Sequence, residues 1–330
     1  MSELPIIDLS SFRNGDAEAR AAVAAQVDQA CRNIGFIVLT GHGLSKDLLT
    51  SAHKIASDLF ELPLATKLKY EKREDSFYGY YQMESSALAY TLDAEDVSPD
   101  LREAFASNRP DLDTGDPYFR SDAVKGLGYD IKYPDEVEDF KETWTRAYYA
   151  FADLGQEIMG LFAAALKQPT DYFENMLTHH ASNLAVFKYP PQSQPVKAGQ
   201  LRCGAHTDYG GLTIVHSDWS TPGGLQIFSP DGEWIDAPNI EDSVIVNIGD
   251  MMQRWTNDRW VSTLHRVGNP DQEQLQDSNR QSLVFFYNPN QEGVVETIPS
   301  CIDGDHPAKY PPIVVSDHFL MKMGKMIEED

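Results

Sequence analysis

From Asn183 onward the chain is cut into short β-type runs separated by turn-forming residues, and this texture restricts the fold more than any other feature. Leu184–Phe187, Gly211–Val215, Leu225–Phe228, Ser243–Asn247 and Ser282–Phe286 are the runs. Pro222-Gly223-Gly224, Pro230-Asp231-Gly232 and Asn247-Ile248-Gly249-Asp250 punctuate them. Runs this short cannot satisfy their own backbone amides, so each must find neighbours in a sheet. Many short strands with regular turns predict a sandwich or a jelly roll.

The preceding half reads differently. Pro5–Leu9 is a short strand candidate, and Glu18–Ile34 has the three-four apolar spacing of an amphipathic helix, stopped by Gly35. Phe36–Leu39 suits a strand buried on both faces, and a second helix is expected from about Lys46 to Phe60. Residues 75–135, rich in Asp, Pro, Gly and Tyr, are expected to be loops that wrap the core. Asp139–Leu166 carries Phe140, Trp144, Tyr148, Phe151, Leu154, Ile158 and Phe162 along one stripe, and is expected to back a sheet.

Composition excludes several classes of function. The formal net charge of −24 leaves no basic face for a polyanion, and the cluster Lys67–Arg73 is interrupted by Glu71. Cys31, Cys203 and Cys301 are widely spaced and match no disulfide framework or zinc spacing, which fits a reducing compartment. No basic-then-apolar leader opens the chain, and no apolar run approaches the roughly 20 residues needed to span a bilayer. The expectation is an acidic cytoplasmic protein, monomeric or weakly dimeric, with a small-molecule substrate and neither nucleic-acid nor membrane partners.

The β-rich half contains His206-Thr207-Asp208 and, much later, His265 within Thr263-Leu264-His265-Arg266-Val267. In a strand, residues i and i+2 share a face, so His206 and Asp208 are expected to aim at one point while Thr207 turns away. Two imidazoles and one carboxylate supply half an octahedron, which suits a ferrous ion with open positions; a thiolate would favour zinc. An isolated H-x-D is more often structural, and His42, His53, His179, His180, His216, His306 and His318 are read as structural. Arg280 and Ser282 change the balance. They too share a face, and can hold a carboxylate beside the metal. If Ser262–Val267 and Arg280–Tyr287 form an antiparallel hairpin, His265 sits almost opposite Arg280.

Together, His206-Thr207-Asp208, His265-Arg266-Val267 and Arg280-x-Ser282 resemble the 2-oxoglutarate- and Fe(II)-dependent dioxygenases of the isopenicillin N synthase-like family. Further matching stretches are Gly35–Val38 through Gly41-His42-Gly43, Phe60-Glu61-Leu62-Pro63, Asp100–Phe105, Gly223–Gln226 and Val246–Asp250. The resemblance covers nearly the whole chain. It implies a mainly β fold with α: a double-stranded β-helix, or distorted jelly roll, with a helical N-terminal region and a long supporting helix. The implied divisions are an N-terminal mixed region (1–110), connecting loops and the backing helix (111–180), the jelly-roll core (181–290) and a C-terminal extension (291–330).

The same resemblance implies Fe(II) on His206, Asp208 and His265, with 2-oxoglutarate as cosubstrate, O2 as oxidant and ascorbate as an auxiliary reductant. The far carboxylate of 2-oxoglutarate would rest on Arg280 and Ser282, with Tyr189 touching it. Phe187 stands where plant members carry Asn. The implied reaction is hydroxylation, desaturation or cyclisation at an unactivated C–H bond, with release of succinate and carbon dioxide. Tyr80, Met83, Phe105, Phe187, Leu212, Leu225, Phe286 and Tyr287 are the candidates to line the substrate pocket. An Fe(II) oxidase on the same scaffold that needs no 2-oxo acid is the main alternative, and a non-catalytic small-molecule receptor is another.

Overall fold

The computed structural model describes residues 4–73, 76–87, 98–110, 117–118, 131–192, 196–197, 199–219, 221, 223–271, 275 and 278–327. The strands are β1 (Ile6–Asp8), β2 (Phe36–Thr40), β3 (Gly79–Tyr81), β4 (Glu103–Ser107), β5 (Asn183–Tyr189), β6 (Cys203–His206), β7 (Leu212–Ser217), β8 (Leu225–Phe228), β9 (Trp234–Asp236), β10 (Ser243–Ile248), β11 (His265–Val267), β12 (Arg280–Tyr287), β13 (Val294–Val295) and β14 (Ile313–Val314). The helices are α1 (Leu9–Asn14), α2 (Ala17–Asn33), α3 (Lys46–Glu61), α4 (Leu64–Lys67), α5 (Phe140–Ala165), α6 (Asp250–Trp255) and α7 (Val315–Ile327). None of the described helices is long and apolar enough to cross a membrane.

An eight-stranded sheet in the order β1-β2-β10-β7-β12-β5-β4-β3 faces a four-stranded sheet in the order β6-β11-β8-β9, and β13 pairs with β14. Two contacts join the inner faces. Phe36 and Val38 of β2 pack with Leu225 and Ile227 of β8, and Tyr189 of β5 packs with Cys203 of β6 and Val267 of β11. This is the expected distorted jelly roll.

The outer face of the large sheet is covered by helices. Asp16 and Ser45 cap α2 and α3 by accepting from the amides of Ala19 and Leu48, which satisfies donors the first helical turn leaves free. The long α5 buries Trp144, Tyr148, Phe151, Ile158 and Phe162. Tyr148 and Phe151 meet Phe285 of β12 at 5.2 and 5.9 Å between ring centroids. Gly155 lies flat against the Tyr287 ring, where a Cβ would come within 2.9 Å of it. Burying each such aromatic contributes about 1.5–3 kcal/mol, so this layer supplies much of the folding energy.

Residues 75–135 depart from the loop expectation. β3 and β4 extend the large sheet at its β5 edge, with Phe105 opposite Val186 and Tyr80 opposite Phe105. Both strands are short, and Ala104, Ala106 and Gly79 leave them little apolar periodicity; an existing sheet edge supplies the backbone partners. Within that stretch, residues 75, 88–97, 111–116 and 119–130 lie outside the described residues.

Candidate metal centre

Two strands of the small sheet bring the histidines together. β6 and β11 run antiparallel with His206 directly opposite His265, and the ring centroids lie 4.3 Å apart. Asp208 is not on the strand with His206, because β6 ends there. The carboxylate reaches the same point from the following turn, with its Oδ1 3.8 Å from His206 Nε2 and 3.7 Å from His265 Nε2. Ligand atoms of these three residues lie within 4.8 Å of one another. Convergence thus holds, while the simple strand alternation expected for His206 and Asp208 does not.

The turn is fixed by close backbone approach. Gly249 runs against it so tightly that a Cβ there would come within 2.4 Å of Gly210 O and 2.8 Å of Asp208 O. The Asp250 amide donates to Asp208 O at 2.7 Å. From the C-terminal side, His318 Nε2 lies 2.9 Å from Tyr209 O.

The hydrogen bonds around the three residues leave one atom of each directed at the shared point. His206 Nδ1 is 2.8 Å from Gly204 O, and His265 Nδ1 is 3.1 Å from Thr263 O. A carbonyl can only accept, so each Nδ1 carries a proton, and it is Nε2 of each ring that is turned toward the shared point for a metal to use. Asp208 Oδ2 accepts from Thr213 Oγ1 at 2.5 Å and Asn247 Nδ2 at 2.6 Å, which leaves Oδ1 toward the imidazoles. Burial, and then His206, push the His265 pKa down to about 4, so its ring is neutral. Burial also works to raise the Asp208 pKa. Positive charge on the neighbouring histidines, where they are protonated, and the Thr213 and Asn247 donors outweigh it, and the carboxyl is held below its usual range. Neutral imidazoles and an ionised carboxylate are the protonation states a divalent metal requires, so these residues fit a ferrous ion.

Arg280 and Ser282 lie on the inner face of the large sheet, at the other end of the inter-sheet space. The hairpin expected between the His265 and Arg280 segments does not form, since β11 pairs with β6 and β8 whereas β12 pairs with β5 and β7. The intervening chain crosses from one sheet to the other. Arg280 is only 3% exposed. Its Nη2 donates to Ser217 Oγ at 2.9 Å, and that hydroxyl lies 3.2 Å from Ser282 Oγ. Its guanidinium sits 5.1 Å from the Tyr189 ring centroid, and Tyr189 is its direct partner across the ladder. Its Nε is buried without a hydrogen-bond partner. Burial lowers its pKa from the ordinary arginine value. A buried guanidinium with an unused donor fits an incoming carboxylate.

Strand parity divides the substrate-pocket candidates. Phe187 and Phe286 are on the inner face and half-buried, on the side of the metal ligands. Phe286 is opposite Thr213, the Asp208 partner, and Phe187 is opposite Ser282. Tyr80, Phe105, Leu212 and Tyr287 belong instead to the core beneath the helices. Phe105 packs on Phe140 and Trp144, and the Tyr80 hydroxyl donates to Glu103. These four are one residue out of phase with the inner face. Leu225 fills the apolar plug between the sheets with Phe36 and Val38, and Met83 is 38% exposed in a turn.

Sequence reasoning missed Thr213 and Asn247. The available signal was a polar residue inside an otherwise apolar strand, most plainly Asn247 in Ser243–Ile248. It also gave no role to Arg102, which lies 4.4 Å over the Phe187 ring and pairs with Asp100 at 3.3 Å. Asp100 Oδ1 in turn accepts from the Gly204 amide at 2.8 Å, tying this pair to β6.

Known proteins resemble this chain in sequence and in fold. Residues 4–125 match the family model for the N-terminal region of non-haem dioxygenases in morphine synthesis, and residues 174–289 match that of the 2OG-Fe(II) oxygenase superfamily. The chain is 29% identical over 317 residues to the 2-oxoglutarate-Fe(II) type oxidoreductase hxnY of Emericella nidulans, covering 95% of this chain and 87% of that one. It is 30% identical to a homoarginine-6-hydroxylase of Oryza sativa, covering 97% and 96%. A Neurospora crassa protein solved in complex with alpha-KG and thymine superposes with a TM-score of 0.83 at 27% identity, over 98% of this chain and 97% of that one. The rice dioxygenase for auxin oxidation shares the fold at a TM-score of 0.74 and 23% identity, over 98% and 96%. With a jelly roll, a His-Asp-His cluster and full-length relatives in agreement, the chain belongs to the 2OG-Fe(II) oxygenase superfamily and is a non-haem Fe(II), 2-oxoglutarate-dependent oxidoreductase acting on small molecules.

Proposed function

We propose that His206, Asp208 and His265 hold the Fe(II), and that Arg280, Ser282 and Tyr189 receive the far carboxylate of 2-oxoglutarate. The observation that carries this reading is the pairing of three unengaged ligand atoms with a buried guanidinium that has a spare donor, in one inter-sheet space. Iron and cosubstrate held there would together supply the oxidising chemistry, consuming O2 and 2-oxoglutarate and releasing succinate and carbon dioxide, with one oxygen atom entering succinate and the other left to oxidise the substrate. The protein supplies positions. Gly204 O and Thr263 O orient the imidazoles, and Thr213 and Asn247 keep one carboxylate oxygen occupied so that the other faces the metal. Val215 and Val284 lie between the two polar ends of the inner face, an apolar wall along the span from the metal ligands to Arg280 that excludes water from it.

The substrate is read as a small organic molecule seated against Phe187 and Phe286, with Arg102 beyond Phe187. The net charge of −24 argues against nucleic acid, and three free buried cysteines support a reducing, cytosolic setting. Turnover is tested by release of labelled carbon dioxide from 1-labelled 2-oxoglutarate across a panel of amino-acid derivatives and secondary metabolites. Substrate-dependent release is the expected result. Oxidation of a panel compound without any need for 2-oxoglutarate would replace this reading with the oxidase.

A further inference from the structure

Arg202 immediately precedes β6 and is 3% exposed, as buried as Arg280. Its Nη2 donates to Pro190 O at 3.0 Å and to Ser278 Oγ at 2.8 Å, while its Nε is buried without a partner. Both acceptors mark its position. Pro190 follows Tyr189, the residue opposite Arg280, and Ser278 lies two residues before Arg280 in the chain. The guanidinium of Arg202, at the entry to β6, is therefore tethered to the two segments that flank Arg280, just past the end of β5 and just before the start of β12. No carboxylate pairs with either one among the described residues. A carbonyl and hydroxyls hold them in place but leave their charge uncompensated. Burial and the positive charge of Arg280 lower the Arg202 pKa to about 10, consistent with two cations close together in a poorly solvated space. Two like charges that deep disfavour the folded state until an anion joins them.

We propose that Arg202 is a second cation of the pocket for the far carboxylate of 2-oxoglutarate, so that two guanidinium groups, one from β12 and one from the segment leading into β6, select a dicarboxylate over a monocarboxylate 2-oxo acid. The proposal rests on the assignment of Arg280 to that carboxylate. It makes Arg202 a specificity determinant, distinct from a residue that merely ties down Pro190.

The test compares equilibrium binding of 2-oxoglutarate and of 2-oxopentanoate, its analogue with a methyl group in place of the far carboxylate. Binding is measured by calorimetry on the Fe(II)-loaded protein without oxygen or substrate. Arg280→Leu is expected to weaken 2-oxoglutarate about a hundredfold, by loss of a charge-assisted pair. Arg202→Gln is expected to weaken it about tenfold through the lost field, with 2-oxopentanoate within twofold of wild type for both variants. An unchanged ratio of the two affinities in Arg202→Gln, with a collapsed ratio in Arg280→Leu, overturns the role of Arg202 alone. An unchanged ratio in both overturns the Arg280 assignment. Equal weakening of both ligands in Arg202→Gln would reduce Arg202 to a structural tie. If that variant does not fold, Ser278→Ala loosens the same guanidinium; a two- to threefold loss confined to 2-oxoglutarate is then expected, and no selective loss overturns the proposal.

Discussion

The two faces of β12 do different work with alternate residues of one strand. Leu283, Phe285 and Tyr287 point at the helices and are fully packed, whereas Arg280, Ser282, Val284 and Phe286 point at the opposing sheet. The helix face is apolar and interlocked with α5, and its side chains are replaceable only at a cost in folding. The inner face carries charge, hydroxyls and unused donors, which a stable core would avoid. Stability thus sits on one side of the sheet and chemistry on the other, separated by a single peptide unit.

That contrast can be broken by mutation. The largest effect is expected at the ligands: His206→Ala or Asp208→Ala should lower turnover more than about a thousandfold, since an interaction needed for every chemical step is removed. Circular dichroism should remain native; activity within tenfold of wild type would dissolve the ligand assignment. On the opposite face, Phe285→Ala should cost about 3–5 kcal/mol of stability by opening a cavity against Tyr148 and Phe151. Its kcat/KM per folded molecule should stay within a few-fold. A catalytic loss larger than the stability loss would mean that the two faces are coupled.

Smaller changes sharpen the boundary. Asn247→Ala frees one side of Asp208 Oδ2 and should weaken Fe(II) affinity about 10–100-fold, the usual cost of losing a residue that orients a ligand. Metal titration of the apo-protein would read this, and an unchanged affinity would confine Asn247 to packing. The smallest effect concerns His53 of α3 and His216 of β7, whose Nε2 and Nδ1 lie 2.9 Å apart. Burial, above all, lowers their pKa values to about 4 and about 3, below the ordinary 6.5. The unfolded chain then binds protons more readily, so the contribution of this pair is full above pH 6.5 and fades as pH falls toward 4, at about 1.4 kcal/mol for each unit of depression. His53→Gln should flatten this acid limb in denaturant titrations; an unaltered limb would assign acid lability to other groups.

Much of this was legible before any coordinates. His206, Asp208 and His265 stood out because metal chemistry demands few residue types, and Arg280 with Ser282 because a carboxylate needs a cation and a donor on one face. The pocket candidates were legible only in part. Tyr80, Phe105, Leu212 and Tyr287 are as aromatic or aliphatic as Phe187 and Phe286, and hydrophobicity does not reveal which face of a two-sided buried strand a residue occupies. β3 and β4 were hidden for a related reason: Glu103–Ser107 owes its strand state to the edge of β5. Thr213 and Asn247 went unnoticed because their polarity has meaning only beside Asp208.

By itself, the order of residues determined the main helices, the strands of the β-rich half and the turn positions, and it singled out His206, Asp208, His265 and Arg280 as candidates, because local periodicity and side-chain chemistry are written residue by residue. Only the tertiary structure decided which strands pair, that β11 and β12 lie in different sheets, and that Arg202 is tied to the segments beside Arg280. Backbone hydrogen bonds are alike for every strand, so partners are chosen by the packing of whole faces, a property no single segment carries.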